Sequence, residues 1–285
     1  MHFLDLKAEG MCLEHTFFNG QCFRWNLTKE NSFIGVVAGK VYEAKKTDAN
    51  TLRLYNATED ERDFFQKYFD LDRDYIGIEK ALSGMDSVLA QAVEFGRGMR
   101  ILRQEPWEVV VSFILSVQKN IASTQKNIER LCEKYGQKIF YQDCCFYVFP
   151  EAKELADSDE ESIRQTKCGF RAKGVLDAAR KVNEGEVVLS NIFDLTYEKA
   201  REELQKIYGV GQKVADCILL FGFGKYAACP IDTWMKKALE TLYGVRFYNM
   251  GDYHRFTQKK WEPYSGYAQQ YIFYYMRENY RKTKK

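Results

Sequence analysis

The sequence predicts an α+β protein in which a small N-terminal antiparallel sheet packs on a larger, mainly helical body. Three observations predict it. Short β-rich runs separated by turn residues crowd residues 17–55, segments of helical length fill most of the remainder, and only four prolines interrupt 285 residues. With 46% hydrophobic residues the chain can fill such cores and lacks the polar bias of disorder.

In order, the β-rich runs are "FFNGQCFRW", "FIGVV", "KVYEAKK" and "TLRLY", divided by Gly, Asn and Asp turn signals as in a meander. Helical lengths follow at 59–69, 85–96, 105–117 and 121–136. The last sets Ile121, Ile128, Leu131 and Tyr135 on one stripe and stops at Gly136. Further helices are expected at 171–183, 197–207, 212–222, 233–243 and 266–279. The expected organisation is a sheet domain with flanking helices over 1–98 and a helical domain over 99–285.

Several classes are excluded. The longest apolar run, "VVVSFILSV" at 109–117, is far short of the ~20 residues a membrane helix needs, and "MHFLDLKAEG" lacks the shape of a signal peptide. A cytoplasmic protein without a membrane partner is expected. Eight cysteines form no Cys-x-x-Cys pair and His2, His15 and His254 are scattered, so reduced thiols are expected, with no metal and no cofactor. A net charge of +2 argues little for nucleic acid, and the tail "RENYRKTKK" reads as solvated charge.

Residues 207–239, "IYGVGQKVADCILLFGFGKYAACPIDTWMKKAL", carry the chemistry. Thr196 can cap a helix through "YEKAREELQKI", Gly209-Val210-Gly211 turns the chain, and "QKVADCILLF" starts a second helix at once. This helix-hairpin-helix, over 197–222, leaves the N–H groups of the second helix start unpaired at the positive end of its dipole. They can hold a phosphate without net charge. Tight αα-hairpins that bind nothing use the same turn. Lys213 lies in the first turn of the second helix, where the dipole and any nearby cation favour the neutral, nucleophilic amine. Asp232 opens the next helix. Each also has an ordinary reading, a solvated helix lysine and an N-cap.

"GVGQKVADC", followed nineteen positions after its lysine by the Asp of "CPID", resembles the signature of the helix-hairpin-helix, Gly/Pro-rich-loop and aspartate superfamily of DNA glycosylases. Within it the chain is similar to the 8-oxoguanine DNA glycosylases that carry a catalytic lysine. "NGQCFRW", "MRILRQEPWEVVVSFILSVQKNIA", "GFRAKGV" and "PYSGYAQQYIF" match family segments in the right order along most of the chain. The resemblance implies a base-excision-repair enzyme, both glycosylase and AP lyase. Lys213 would attack C1′ and form a Schiff base that permits β-elimination, while Asp232 steadies an oxocarbenium-like sugar and helps deprotonate the lysine. The implied partner is duplex DNA containing 8-oxoguanine, bound by a monomer; a bacterial member would be associated with the nucleoid.

The target base must leave the stack, and Phe170 and Arg171 in "GFRAK" match the wedge and the arginine that addresses the estranged base. The Gly20 carbonyl matches the group that accepts the N7–H of the oxidised base, which guanine lacks. Gln269 would read the Watson–Crick edge, with Phe273 and Cys217 on opposite faces of the ring. Without the resemblance, Phe170, Cys217 and Phe273 read as core and Asn19-Gly20 as a hairpin turn.

Four positions depart from the animal members. Phe170 stands for their Tyr, Gln118 for an Asn, Ser123 for an Arg that contacts the opposite cytosine, and Trp234 for a phosphate-contacting His. A bidentate arginine contact is worth ~1–3 kcal/mol of base discrimination, so weak preference for the opposite base is expected. The short ends resemble bacterial members. Two other readings are a monofunctional glycosylase for alkylated or mispaired bases, which has no need of Lys213, and a non-catalytic helix-hairpin-helix DNA-binding module.

Overall fold

The computed structural model describes the backbone of residues 2–282. β1 (Phe3–Lys7) is followed by the short α1 (Leu13–Phe17), and then by β2 (Trp25–Leu27), β3 (Phe33–Val37), β4 (Lys40–Lys46) and β5 (Thr51–Tyr55). All pairings are antiparallel, in the order β1-β5-β4-β3-β2. Alternation decides the faces: Leu4 and Leu6 on β1 and Leu52 and Leu54 on β5 are buried, whereas their neighbours in the strands point out. β1 was not read from the sequence. It enters beside β5 and so makes the last run of the meander an interior strand. Residues 17–24, expected to be β-rich, form helix end and loop, with strand beginning only at Trp25.

Under this sheet lies a core of Leu4, Leu6, Phe17, Trp25, Leu52, Leu54, Phe65 and Phe69 among others, in which Phe17 stacks on Trp25 at 4.6 Å between ring centroids. α2 (Arg62–Tyr68) supplies Phe65 and Tyr68. A second, larger core belongs to the helical body: α3 (Tyr75–Met85), α4 (Ser87–Phe95), α5 (Pro106–Ser116), α6 (Ile121–Tyr135), a hairpin of β6 (Lys138–Tyr141) and β7 (Cys144–Tyr147), then α7 (Ala152–Ala156), α8 (Glu160–Ile163), α9 (Arg171–Asn183), α10 (Leu189–Ile192), α11 (Tyr197–Leu204), α12 (Gln212–Phe223), α13 (Thr233–Tyr243), α14 (Met250–Trp261) and α15 (Ser265–Lys282). α5 is buried along almost its whole length, with Glu105 capping it and Pro106 in its first turn. α3 and α4 pack into this larger core and not into the sheet, through Tyr75, Ile78, Leu82, Leu89 and Val93.

The two cores meet at Asp70, which is 1% exposed. Its carboxylate takes Arg73 Nε at 2.6 Å, Arg103 Nη2 at 2.5 Å and the Tyr75 hydroxyl at 2.9 Å. Tyr226, just beyond α12, donates to the same carboxylate at 3.3 Å. The end of the sheet layer is thereby anchored beside the helix that carries Lys213.

Candidate active site

The hairpin forms as expected, with one change at its boundary. Thr196 Oγ1 accepts from Lys199 N at 3.4 Å and starts α11, which stops at Leu204 and not 207, because Ile207 and Val210 drop into the core and pull the chain into the turn. Gly209 takes a φ of +80°, which favours glycine. The exposed Gly211 caps α12 without a side-chain acceptor, and a Cβ at Gly209 or Gly211 would meet nothing within 4 Å. The first N–H groups of α12 are therefore left for an external acceptor such as a phosphate.

In the first turn of α12, Lys213 enters a small cavity that it lines together with Asp232, Cys217, Gly20, Phe113, Phe221, Pro230, Gln269, Gln270 and Phe273. Asp232 reaches it as the N-cap of α13, its Oδ1 accepting from Met235 N at 2.9 Å, so the aspartate is both a cap and a site residue. The expectation that the helix start neutralises Lys213 is overturned. Burial, the largest influence, disfavours the ammonium, but Cys217 and Asp232 outweigh it and hold the Lys213 pKa above lysine's usual value. Burial in turn pushes the Cys217 thiol up to about 11. Lys213 rests as an ammonium.

The opposite wall comes from α15 and the loop before β2. Gln269 and Phe273, one turn apart, face the cavity together. Gln269 is 4% exposed and its Oε1 has no hydrogen-bond partner among the described residues, a costly state for a buried amide oxygen unless a ligand supplies the donor. This narrow cavity, about 40 Å³, adjoins a second of about 160 Å³ lined by Ser116, Lys119, Asn120, Ile121, Trp234 and Arg277 as well as Lys213 and Asp232. Phe113, whose ring centre lies 5.7 Å from Lys213 Nζ, was missed in the sequence because it sits in an apolar run that reads as core.

Phe170 is 56% exposed at the start of α9, set out by the left-handed Lys167 (φ +64°) and Gly169 (φ +65°) before it. Arg171 does not project beside it as expected. It is 7% exposed, stacks 4.4 Å from the Phe170 ring centre, and donates to the Val117 and Cys168 carbonyls. It braces the loop that presents Gln118, an exposed residue at φ +52°. Ser123 lies in the first turn of α6, where its N–H is taken by the Asn120 cap at 2.8 Å.

Behind Lys213 lies a buried polar pair. Asp216 Oδ1 accepts from the Tyr197 hydroxyl at 2.6 Å, and His254 Nε2 stands 3.8 Å from Oδ2. Burial raises Asp216 to about 7 and lowers His254 to about 4. The two shifts act in opposite senses between about pH 4 and 6.5: the raised aspartate loses stability as pH rises through this window, the depressed histidine gains it, and the two offset one another. Asp216→Asn removes one side of the balance. Its urea-unfolding free energy is expected to rise from pH 4.5 to 6.5 more steeply than the wild type's, by up to about 1 kcal/mol per pH unit. Parallel pH profiles would refute the opposed shifts.

Residues 3–110 match the N-terminal domain of 8-oxoguanine DNA glycosylase, and residues 111–263 match the HhH-GPD superfamily of base excision DNA repair proteins. A structure described as MBOgg1 in complex with a low affinity DNA ligand is 41% identical, with a TM-score of 0.94 over 97% of this chain and 96% of that one. The Clostridium acetobutylicum 8-oxoguanine glycosylase/lyase, in complex with double-stranded DNA containing cytosine opposite 8-oxoG, is 39% identical, with a TM-score of 0.92 over 98% and 99%. The Saccharomyces cerevisiae N-glycosylase/DNA lyase is 28% identical over 95% of this chain and 84% of its own.

Proposed function

As this chain belongs to the HhH-GPD superfamily of base excision DNA repair proteins and carries an 8-oxoguanine DNA glycosylase N-terminal domain, we propose that it excises 8-oxoguanine through Lys213 and then cleaves the strand at the resulting site. It is a bifunctional DNA glycosylase and lyase that binds DNA. The observation that carries the residue assignment is the single cavity joining Lys213 and Asp232 to Gly20, Cys217, Gln269 and Phe273.

The hairpin turn Gly209-Val210-Gly211, exposed at its two glycines and anchored by the buried Val210, takes a backbone phosphate, and Phe170 enters the stack as the target nucleotide leaves it. In the pocket the Gly20 carbonyl accepts the N7–H, the vacant Gln269 Oε1 takes a donor from the Watson–Crick edge, and Phe273 and Cys217 flank the ring. The base fills the cavity and excludes water from it. Asp232 then stabilises positive charge developing on the sugar, and Lys213, once its proton has left, bonds to C1′ as the C1′–N9 bond breaks and the base departs with the electron pair. The sugar ring then opens: the C1′–O4′ bond breaks, O4′ leaves with the electron pair and takes a proton, and the nitrogen lone pair closes the C1′ imine with Lys213. This imine acidifies the C2′ proton, whose loss expels the 3′ phosphate. One wedge and one pocket need no symmetry, so a single copy suffices.

Arg171 is committed to the Val117 carbonyl and Ser123 offers only a short hydroxyl, so little is left to select the base opposite. Duplexes with one 8-oxoguanine facing cytosine or adenine test both parts of this reading. Both are expected to be nicked without alkali, with single-turnover rates within about tenfold of one another. A larger cytosine preference sinks the weak-selection reading, and base release without nicking sinks the lyase.

A further inference from the structure

We infer that Arg277 and Gln270, on the same helix as the base-reading Gln269 and Phe273, are positioning residues that hold the Gly20 carbonyl in register with them, so that α15 sets the geometry by which the oxidised base is told from guanine. The inference rests on Gly20 as the N7 reader. Positions 269, 273 and 277 are successive turns of one helical face, and 270 lies two turns before 277.

The loop that carries Gly20 is gripped from both sides. Arg277 Nη2 donates to the Phe18 carbonyl and Gln270 Nε2 to the Asn19 carbonyl at 3.2 Å. From the far side, Gln104 Nε2 donates to the Gln21 carbonyl at 2.8 Å, and the Gln21 side chain bonds the Thr16 and Arg100 carbonyls and the Leu102 N–H. The carbonyls before and after Gly20 are thus engaged, and Gly20, at φ +89°, is the loop residue that lines the lesion cavity. The fit is close. A Cβ on Gly20 would come within 3.1 Å of Ile121 Cδ1, 3.3 Å of Arg277 Nη1 and 3.5 Å of Phe273 Cε1.

Arg277 is 3% exposed, and its guanidinium lies 5.4 Å from the Phe273 ring centre with Nε held by Glu278 at 2.7 Å. One side chain therefore touches the stacking ring, the loop carbonyl and the neighbourhood of Gly20. A planar guanidinium suits this arrangement, because it can stack and donate at once. Gln270, 2% exposed, adds a second tie whose loss changes no charge.

The test separates reading from folding and from chemistry, because cleavage at an abasic site needs Lys213 but no base. Wild type, Arg277→Met, Gln270→Met and Arg277→Lys are compared on a duplex with one 8-oxoguanine and on the same duplex with a preformed abasic site. For both Met variants, kcat/KM for excision is expected to fall roughly tenfold to hundredfold while abasic-site cleavage stays within about twofold, with part of the loss regained by Arg277→Lys. A parallel fall on both substrates assigns these residues a structural role and overturns the inference. Unchanged excision in Gln270→Met and Arg277→Met overturns it as well. Should the wild type itself release no 8-oxoguanine yet cleave the abasic duplex, the proposed substrate fails first and takes the inference with it.

Discussion

Lys213→Gln is expected to lose base excision and strand cleavage together, by on the order of 10⁴-fold or more, as when the nucleophile of a covalent mechanism is removed. Sodium borohydride added during reaction with an 8-oxoguanine duplex reduces the imine to a stable amine. The wild type is expected to give a covalent protein–DNA adduct and the variant none. Glutamine keeps most of the length of the side chain and a polar tip beside Phe113 and Cys217, so the cavity is conserved while the amine is removed. Base release by the wild type without an adduct would mean that water attacks in place of Lys213.

The resting charge of Lys213 adds a second observable. The free enzyme holds an ammonium, its pKa kept above the usual lysine value by Cys217 and Asp232 against the effect of burial, so only a small fraction is nucleophilic at neutral pH. The excision rate is therefore expected to climb with pH on its acidic limb, until the step that removes the proton ceases to limit. Base entry makes this deprotonation easier by expelling water from the cavity, which raises the cost of every uncompensated charge in it. The ion balance at rest and the neutral amine at reaction are two states of one site, separated by the arrival of the substrate.

What the sequence revealed and what it hid follow from the range of the interactions. α9 and α13 run over 171–183 and 233–243 as expected, because local signals bound them: Gly169 before one, the Asp232 cap and Gly244 around the other. The same local signals place Lys213 and Asp232 at helix starts, but only the resemblance of "GVGQKVADC" and "CPID" singles them out, since alone each reads as an ordinary helix lysine and cap. α14 was not, because its buried face is Tyr253, His254, Thr257 and Trp261, a polar and aromatic stripe that shows no apolar period. β1 escaped because its partner, β5, lies some fifty residues on. Arg171 had the right neighbours and the wrong direction, which only its bonds to Val117 and Cys168 reveal. Arg277 was invisible as a site residue, because nothing local distinguishes an arginine that grips a distant loop from one that faces solvent.

Asp232→Asn is expected to separate the two roles that meet in one side chain. As the cap of α13, Asp232 needs only an oxygen for Met235 N, and asparagine caps about as well as aspartate. Stability should then change by no more than about 0.5 kcal/mol. As the anion beside Lys213 and the sugar, it needs its charge, which asparagine lacks. Excision is expected to fall by about 10²–10⁴-fold, the range seen when a charge or donor aimed at the transition state is removed. Asp232→Ala should match that loss in rate and add a loss of about 1 kcal/mol from the uncapped helix, read as a lower urea midpoint. Equal rates for wild type and Asp232→Asn would leave the residue as a cap alone. The opposite result, a variant inactive only to the extent that it is unfolded, would say the same by another route. A folded, capped and slow Asp232→Asn is the outcome that requires a carboxylate at the reacting sugar.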